Sequence, residues 1–213
     1  MKRKEVFFHR SALALANAQR SPEILQALAQ HGVDQSCIEQ LQTQLLEVQQ
    51  LDQRYYDAAA EAKAATQSLY AVRSQAQLLY GQHVLLGRIA LKDQPVLQEK
   101  MALHGIRKKG LAEWMTQANS FYRHAPSVKG ALAKFNVTTK ELNEMQKLLN
   151  QMVEIQRLQF QLKGQMQVIS EQKKQAYAAL QKSISRFFRI ARIALEEEPQ
   201  HLETLGLVVK ATA

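Results

Sequence analysis

The sequence predicts an all-α protein: an elongated helical bundle made by tandem duplication of a unit of about 104 residues, with two long helices packed together and short helices at the ends. Three observations lead there. Apolar side chains recur at steps of three and four through Asp34–Leu91 and again through Thr138–Leu195, a helical period held over almost sixty residues without a proline. The second stretch repeats the first at a constant offset, so that Ile38, Leu41, Leu45, Val48 and Leu51 fall on Leu142, Met145, Leu149, Met152 and Ile155. Leu, Ala and Gln dominate the 213 residues, aromatics make up only 7%, and no alternating strand pattern occurs.

The same offset aligns Pro22 with Pro126, Val33 with Val137, Arg88-Ile89-Ala90-Leu91 with Arg192-Ile193-Ala194-Leu195, and Pro95 with Pro199. Residues 1–104 and 105–213 are therefore expected to be two helical repeats packed as one body, because the stripe of one long helix cannot be buried within its own repeat.

Taken in order, Glu5–Arg20 reads as a short helix. Ser21-Pro22 opens the next, with a capping side chain followed by a proline in the first turn. His31-Gly32 closes it, glycine being the residue that most readily takes the left-handed conformation beyond a helix end. Asp34 caps the first long helix, and Thr138 caps the second, with Glu141 three residues on to complete a capping box. Each long helix would run roughly 85 Å at ~1.5 Å per residue. Both stop before Pro95 or Pro199, and a short capping segment follows. Gly105–Gly110 reads as a flexible basic junction, and Leu111–Tyr122 as a helix carrying the sole tryptophan, Trp114. If the long helices lie antiparallel, the alanines between Ala58 and Ala65 can interleave with larger residues of the other helix.

The residues that carry chemistry are sparse. None of the six histidines recurs at the offset, and His83 stands where the other repeat has Phe187, so packing or surface roles are expected and no metal site. Cys37 is the lone cysteine, which excludes an internal disulfide and fits a cytoplasmic location. No phosphate loop, nucleophile elbow or zinc spacing occurs, so the chain reads as non-catalytic and without cofactor. Arg88 and Arg192 stand a turn before acids near the prolines (Asp93 and Glu99, Glu197 and Glu203) and are expected to pair with them. His9 and Arg10 interrupt the apolar run near the start, which reads as repeat rather than as leader. Arg73, His83 and Arg88 make Leu69–Leu91 a poor membrane span.

Charge divides the chain. Residues 1–104 carry 11 Lys and Arg against 10 Asp and Glu, while residues 105–213 carry 17 against 9, so nearly all of the net +9 lies in the second repeat. At ~100° per residue Lys174, Lys182, Arg186, Arg189 and Arg192 share the outward face of the second long helix. The matching positions of the first are Tyr70, Leu78, Gln82, Leu85 and Arg88, a face rich in apolar side chains that something must cover. The Trp114 helix is the first expectation for that cover, ahead of a second copy or a foreign protein. The function expected is that of a scaffold or adaptor acting by protein–protein contact, self-association included. Its rivals are sequence-independent binding of nucleic-acid phosphates by the basic second repeat and, less favoured, a membrane-active bundle.

Overall fold

The computed structural model describes residues 2–208, with side chains from residue 4. Eight α-helices and one short 3-10 turn account for most of this span, and no strand occurs among the described residues. They are α1 (Lys2–Arg20), α2 (Pro22–Gln30), α3 (Gln35–Ala90), α4 (Pro95–Lys100), α5 (Leu111–His124), α6 (Lys129–Ala133), α7 (Thr139–Ala194) and α8 (Pro199–Thr204), with the 3-10 turn at Ala125–Val128. The helix start at Lys2 is three residues earlier than the sequence suggests, and α5 runs two residues beyond Tyr122. α3 and α7 are each 56 residues long and uninterrupted.

Their ends are set by the expected side chains. The amide of Cys37 donates to Asp34 Oδ1 at 2.9 Å, and that of Ile24 to Ser21 Oγ at 3.3 Å. At the start of α7, the Thr138 amide donates to Glu141 Oε2 at 2.8 Å while the Glu141 amide donates to Thr138 Oγ1 at 3.2 Å, so two orphan donors satisfy one another's residues. These bonds hold the Asp34 and Glu141 carboxyls below their ordinary pKa. Gly32 closes α2 at φ +77°, and Asn136, 104 residues on, closes α6 at φ +61°. In both places the next amide, Val33 or Val137, reaches back to the carbonyl of Leu28 or Leu132. The bounds of α4 and α8 show the same spacing, as do those of α3 and α7.

Two compact units organise the chain, and they cut across the sequence halves. Ala59–Gly164 forms a central unit; the chain on either side of it forms a flanking unit, so each long helix contributes to both. In the central unit, α3 and α7 run antiparallel. Gln159 of α7 donates to Thr66 Oγ1 of α3 at 2.9 Å, and one core joins Leu69, Val72, Ala76, Tyr80 and Val84 of α3 to Leu142, Met145, Leu149 and Met152 of α7. Trp114, Phe121 and Tyr122 of α5 close that core, their rings packed edge-on or tilted against Tyr80.

The flanking unit is also antiparallel. Ile38, Leu45 and Val48 of α3 share a core with Leu180, Ile184, Phe187 and Ala191 of α7, covered by Ala14, Leu15 and Ala18 of α1 and by Ile24 and Leu28 of α2. Lys173 Nζ meets Asp52 Oδ1 at 2.9 Å and lies 4.3 Å from the Tyr55 ring. Ala58 packs with Ile169 and Met166, so large and small residues do interleave there as antiparallel packing requires.

Candidate functional site

From Gln172 to Ala194, α7 carries six cations and no acid. Its inward face is Leu180, Ile184, Phe187 and Ala191, buried in the flanking core with Leu195 just beyond the helix end. Lys173 lies toward that side and is neutralised by Asp52. The other five, Lys174, Lys182, Arg186, Arg189 and Arg192, are all exposed on the opposite side, where the sequence reading places them. None has an ion pair or a side-chain hydrogen bond among the described residues. Glu171 and Glu196 bracket the row at its two ends. Two further cations lie beside it on α1, which the sequence reading missed: Lys4 stands 4.7 Å from the Tyr177 ring and Arg10 5.1 Å from the Phe188 ring.

On α3, within the central unit, Tyr70, Leu78 and Leu85 are 67%, 71% and 60% exposed, and Ile89 joins them at 56%. The Trp114 helix does not cover them. Trp114 turns inward and is itself 2% exposed, because its indole packs against Tyr80 on the buried side of α3. Intramolecular cover, the first expectation from the sequence, is therefore corrected: among the described residues nothing shields this row.

Leu85 also forms one wall of an open cleft of about 320 Å³, with Gln82, His83, Phe135, Val137 and Glu141 among its other lining residues. His83 is buried at the base of this region, its Nδ1 2.8 Å from the Tyr122 hydroxyl. Burial lowers the His83 pKa, an effect that the Glu141 carboxylate partly opposes. Burial raises that of the Tyr122 hydroxyl, with a smaller push from Tyr80.

Arg88 does not pair with Asp93 or Glu99. Its Nε donates to the Leu103 carbonyl at 2.6 Å and its Nη2 to that of Gly105 at 3.4 Å, because the chain after α4 turns back across the end of α3 and brings carbonyls, not carboxylates, into reach. Arg107 joins it there, donating from Nη1 to the Tyr80 hydroxyl at 2.8 Å and from Nη2 to the His104 carbonyl at 2.9 Å. The junction read as flexible is thus tied by guanidinium groups. Arg192, the counterpart of Arg88, has no acid partner either and stays in the exposed row.

The chain matches no family model, no curated protein and no solved structure. What the geometry can do is therefore argued from its own surfaces. Among the described residues no group of three or more His, Cys, Asp or Glu could hold a metal ion, and no helix is long and apolar enough to cross a membrane. Two outward surfaces stand out, one cationic on α7 and one apolar on α3, at positions that correspond under the 104-residue offset. The signal for Ile89 was present in the sequence, since it lies one helical turn beyond Leu85. The signal for Lys4 and Arg10 was not, because it depends on where α1 lies beside α7.

Proposed function

We propose that this protein is a non-catalytic helical scaffold that works by protein–protein contact, with the outward row Tyr70, Leu78, Leu85 and Ile89 of α3 as the contact surface. The observation that carries this is the exposure of four large side chains along one helix face, three of them aliphatic, next to a cleft that Leu85 itself lines. Leaving such side chains in water forgoes roughly 1.5 to 3 kcal/mol for each one that burial would shelter. A row of large exposed side chains on one helix face, here interrupted by Gln82, is the kind of surface that another chain can cover. Self-association is the first form of contact to test, an isologous pair of α3 rows needing no other molecule. The shared element bounds at a spacing of 104 residues support descent of both long helices from one duplicated unit. The proposed setting is the cytoplasm, where a lone thiol such as Cys37 stays reduced.

Light scattering over a concentration series tests the contact. A mass rising toward twice 24.2 kDa is expected, returning to 24.2 kDa in a Leu78→Asp/Leu85→Asp variant. A wild-type mass of 24.2 kDa throughout, together with no crosslink from a photoreactive residue placed at position 78 in producing cells, overturns the reading.

A further inference from the structure

We infer that the outward face of α7 in the flanking unit binds the phosphate backbone of duplex DNA without reading base sequence. The inference is independent of the proposed contact surface on α3. It begins from the lack of ion pairs along this face among the described residues, although Glu47 of α3 lines the adjoining groove with Gln175 and Ala179. Six cations stand in the acid-free run from Gln172 to Leu195; the fold supplies a carboxylate to Lys173 alone and leaves the other five exposed and unpaired among the described residues. Arg10, held against α7 by the Phe188 ring, adds to the same positive field, whereas Lys4 at the Tyr177 ring shares its groove with Glu5 and Asp52.

The spacing suits a linear polyanion. From Lys174 to Arg192 the helix rises ~27 Å at ~1.5 Å per residue. A duplex carries one phosphate per ~3.4 Å of axis on each strand, so this length runs beside about eight phosphates of a strand. Three of the five cations are arginines, whose planar fork can hold two phosphate oxygens at once where an ammonium acts as a point charge.

The shape of the face separates DNA from an anionic bilayer. The five side chains fan over ~120° of the helix circumference at ~100° per residue. A flat sheet of headgroups meets such a fan only along its crest, whereas the two phosphate walls of a DNA groove about 12 Å wide can meet both flanks. Helices that lie in a membrane surface also sink a large apolar face into it. Here the apolar face, Leu180, Ile184, Phe187 and Ala191, is already committed to the protein core. Between the cations the exposed side chains are small or polar (Gln175, Ala178 and Ser185), and Ile193 is the one large apolar residue exposed on that stretch. No aromatic ring is exposed there to stack on a base, which is why contact is assigned to phosphates alone.

The test is fluorescence anisotropy of the full chain with a labelled random-sequence DNA duplex, titrated at several salt concentrations. Five phosphate contacts give a slope of log K against log salt near −4.5 at ~0.9 per contact, an affinity loss of roughly 500-fold between about 50 and 200 mM salt. An Arg186→Gln/Arg189→Gln variant should lower the slope to near −2.7 and that loss to roughly 40-fold by the same relation. Both side chains are exposed and unbonded, and unchanged circular dichroism confirms that the variant is folded. The Leu78→Asp/Leu85→Asp variant should bind DNA as the wild type does, so failure of the α3 contact and failure of this site are told apart. The inference is overturned by any of three results: no binding at the lowest salt, an unchanged slope in the arginine variant, or binding to phosphatidylserine vesicles or to RNA duplex but not to DNA. A tenfold preference for one DNA sequence over another would remove the assignment to backbone alone.

Discussion

Replacing both members of the buried His83–Tyr122 pair should cost far less stability than replacing either one. The two side chains lie in the central core with 2.8 Å between Nδ1 and the hydroxyl, and they are 3% and 5% exposed. Changing Tyr122→Phe strands the imidazole nitrogen, and changing His83→Phe strands the hydroxyl. Each orphaned buried group costs about 1 to 3 kcal/mol, whereas removing both polar atoms together is nearly neutral when shape is kept. The flanking core shows that the apolar solution is tolerated, since the positions 104 residues away are the buried pair Ala18 and Phe187. Urea unfolding of the wild type, the two single variants and the double variant at pH 7.5 completes the cycle. Additivity of the single variants to within about 0.5 kcal/mol would refute the coupling. The same proteins carry a pH signature. Burial depresses the folded pKa of His83, so above the unfolded value of about 6.5 the ring is neutral in both states and adds no penalty. As the pH falls below that value the unfolded chain takes up a proton that the folded one resists. Stability is therefore lost on acidification and levels off once the folded pKa is passed. The double variant should lose less stability than the wild type between pH 7 and pH 5, and parallel curves would show that His83 does not titrate this way.

Two further outcomes concern the backbone. Ala102 sits at φ +51° just beyond α4, where the equivalent residue after α8 is Gly206 at φ +71°, so Ala102→Gly should raise stability by about 0.5 to 1 kcal/mol by removing left-handed strain, measured as an increase in the urea midpoint. A decrease would show that the strain is already relieved. Glu141→Ala should cost roughly 0.3 to 1 kcal/mol at neutral pH, because it takes a carboxylate from the start of α7 and leaves the Thr138 amide without its acceptor. Because the Glu141 carboxyl is held below its ordinary pKa, first by the Thr138 amide, this stabilisation is present above about pH 4.3 and is lost as the pH falls through the folded value. The variant and wild type should thus converge in acid, and a constant difference would contradict the cap.

The local grammar of this fold was written in its side chains. Asp34, Ser21 and Thr138 cap because a short oxygen-bearing side chain before an apolar run can do little else, and Gly32 closes α2 because the left-handed position disfavours a Cβ. The two faces on α3 and α7 followed from helical period alone. What could not be read depended on distant pieces of chain meeting. Arg88 had carboxylates near in sequence, yet carbonyls of the returning chain arrive first. The Trp114 helix, expected to cover the outward face of α3, packs its indole against the inward Tyr80 instead, since periodicity says which face of a helix is apolar but not which neighbour receives it. His83 carried a usable hint, its match to Phe187, which marked the position as interior; its bond to Tyr122 became visible only once α5 was placed.

In sequence, the central unit is one uninterrupted run interposed between the two segments of the flanking unit, and this order of synthesis matters on the ribosome. Once Gly164 has emerged from the ribosome, every residue of the central unit is free to close on the others. Ile24, Leu28, Leu45 and Val48 must still wait for the late arrival of Leu180, Phe187 and Leu207. At roughly 5 to 20 residues per second that delay lasts from about 2 to 9 seconds, during which the earliest-made apolar side chains remain open to water or to a chaperone.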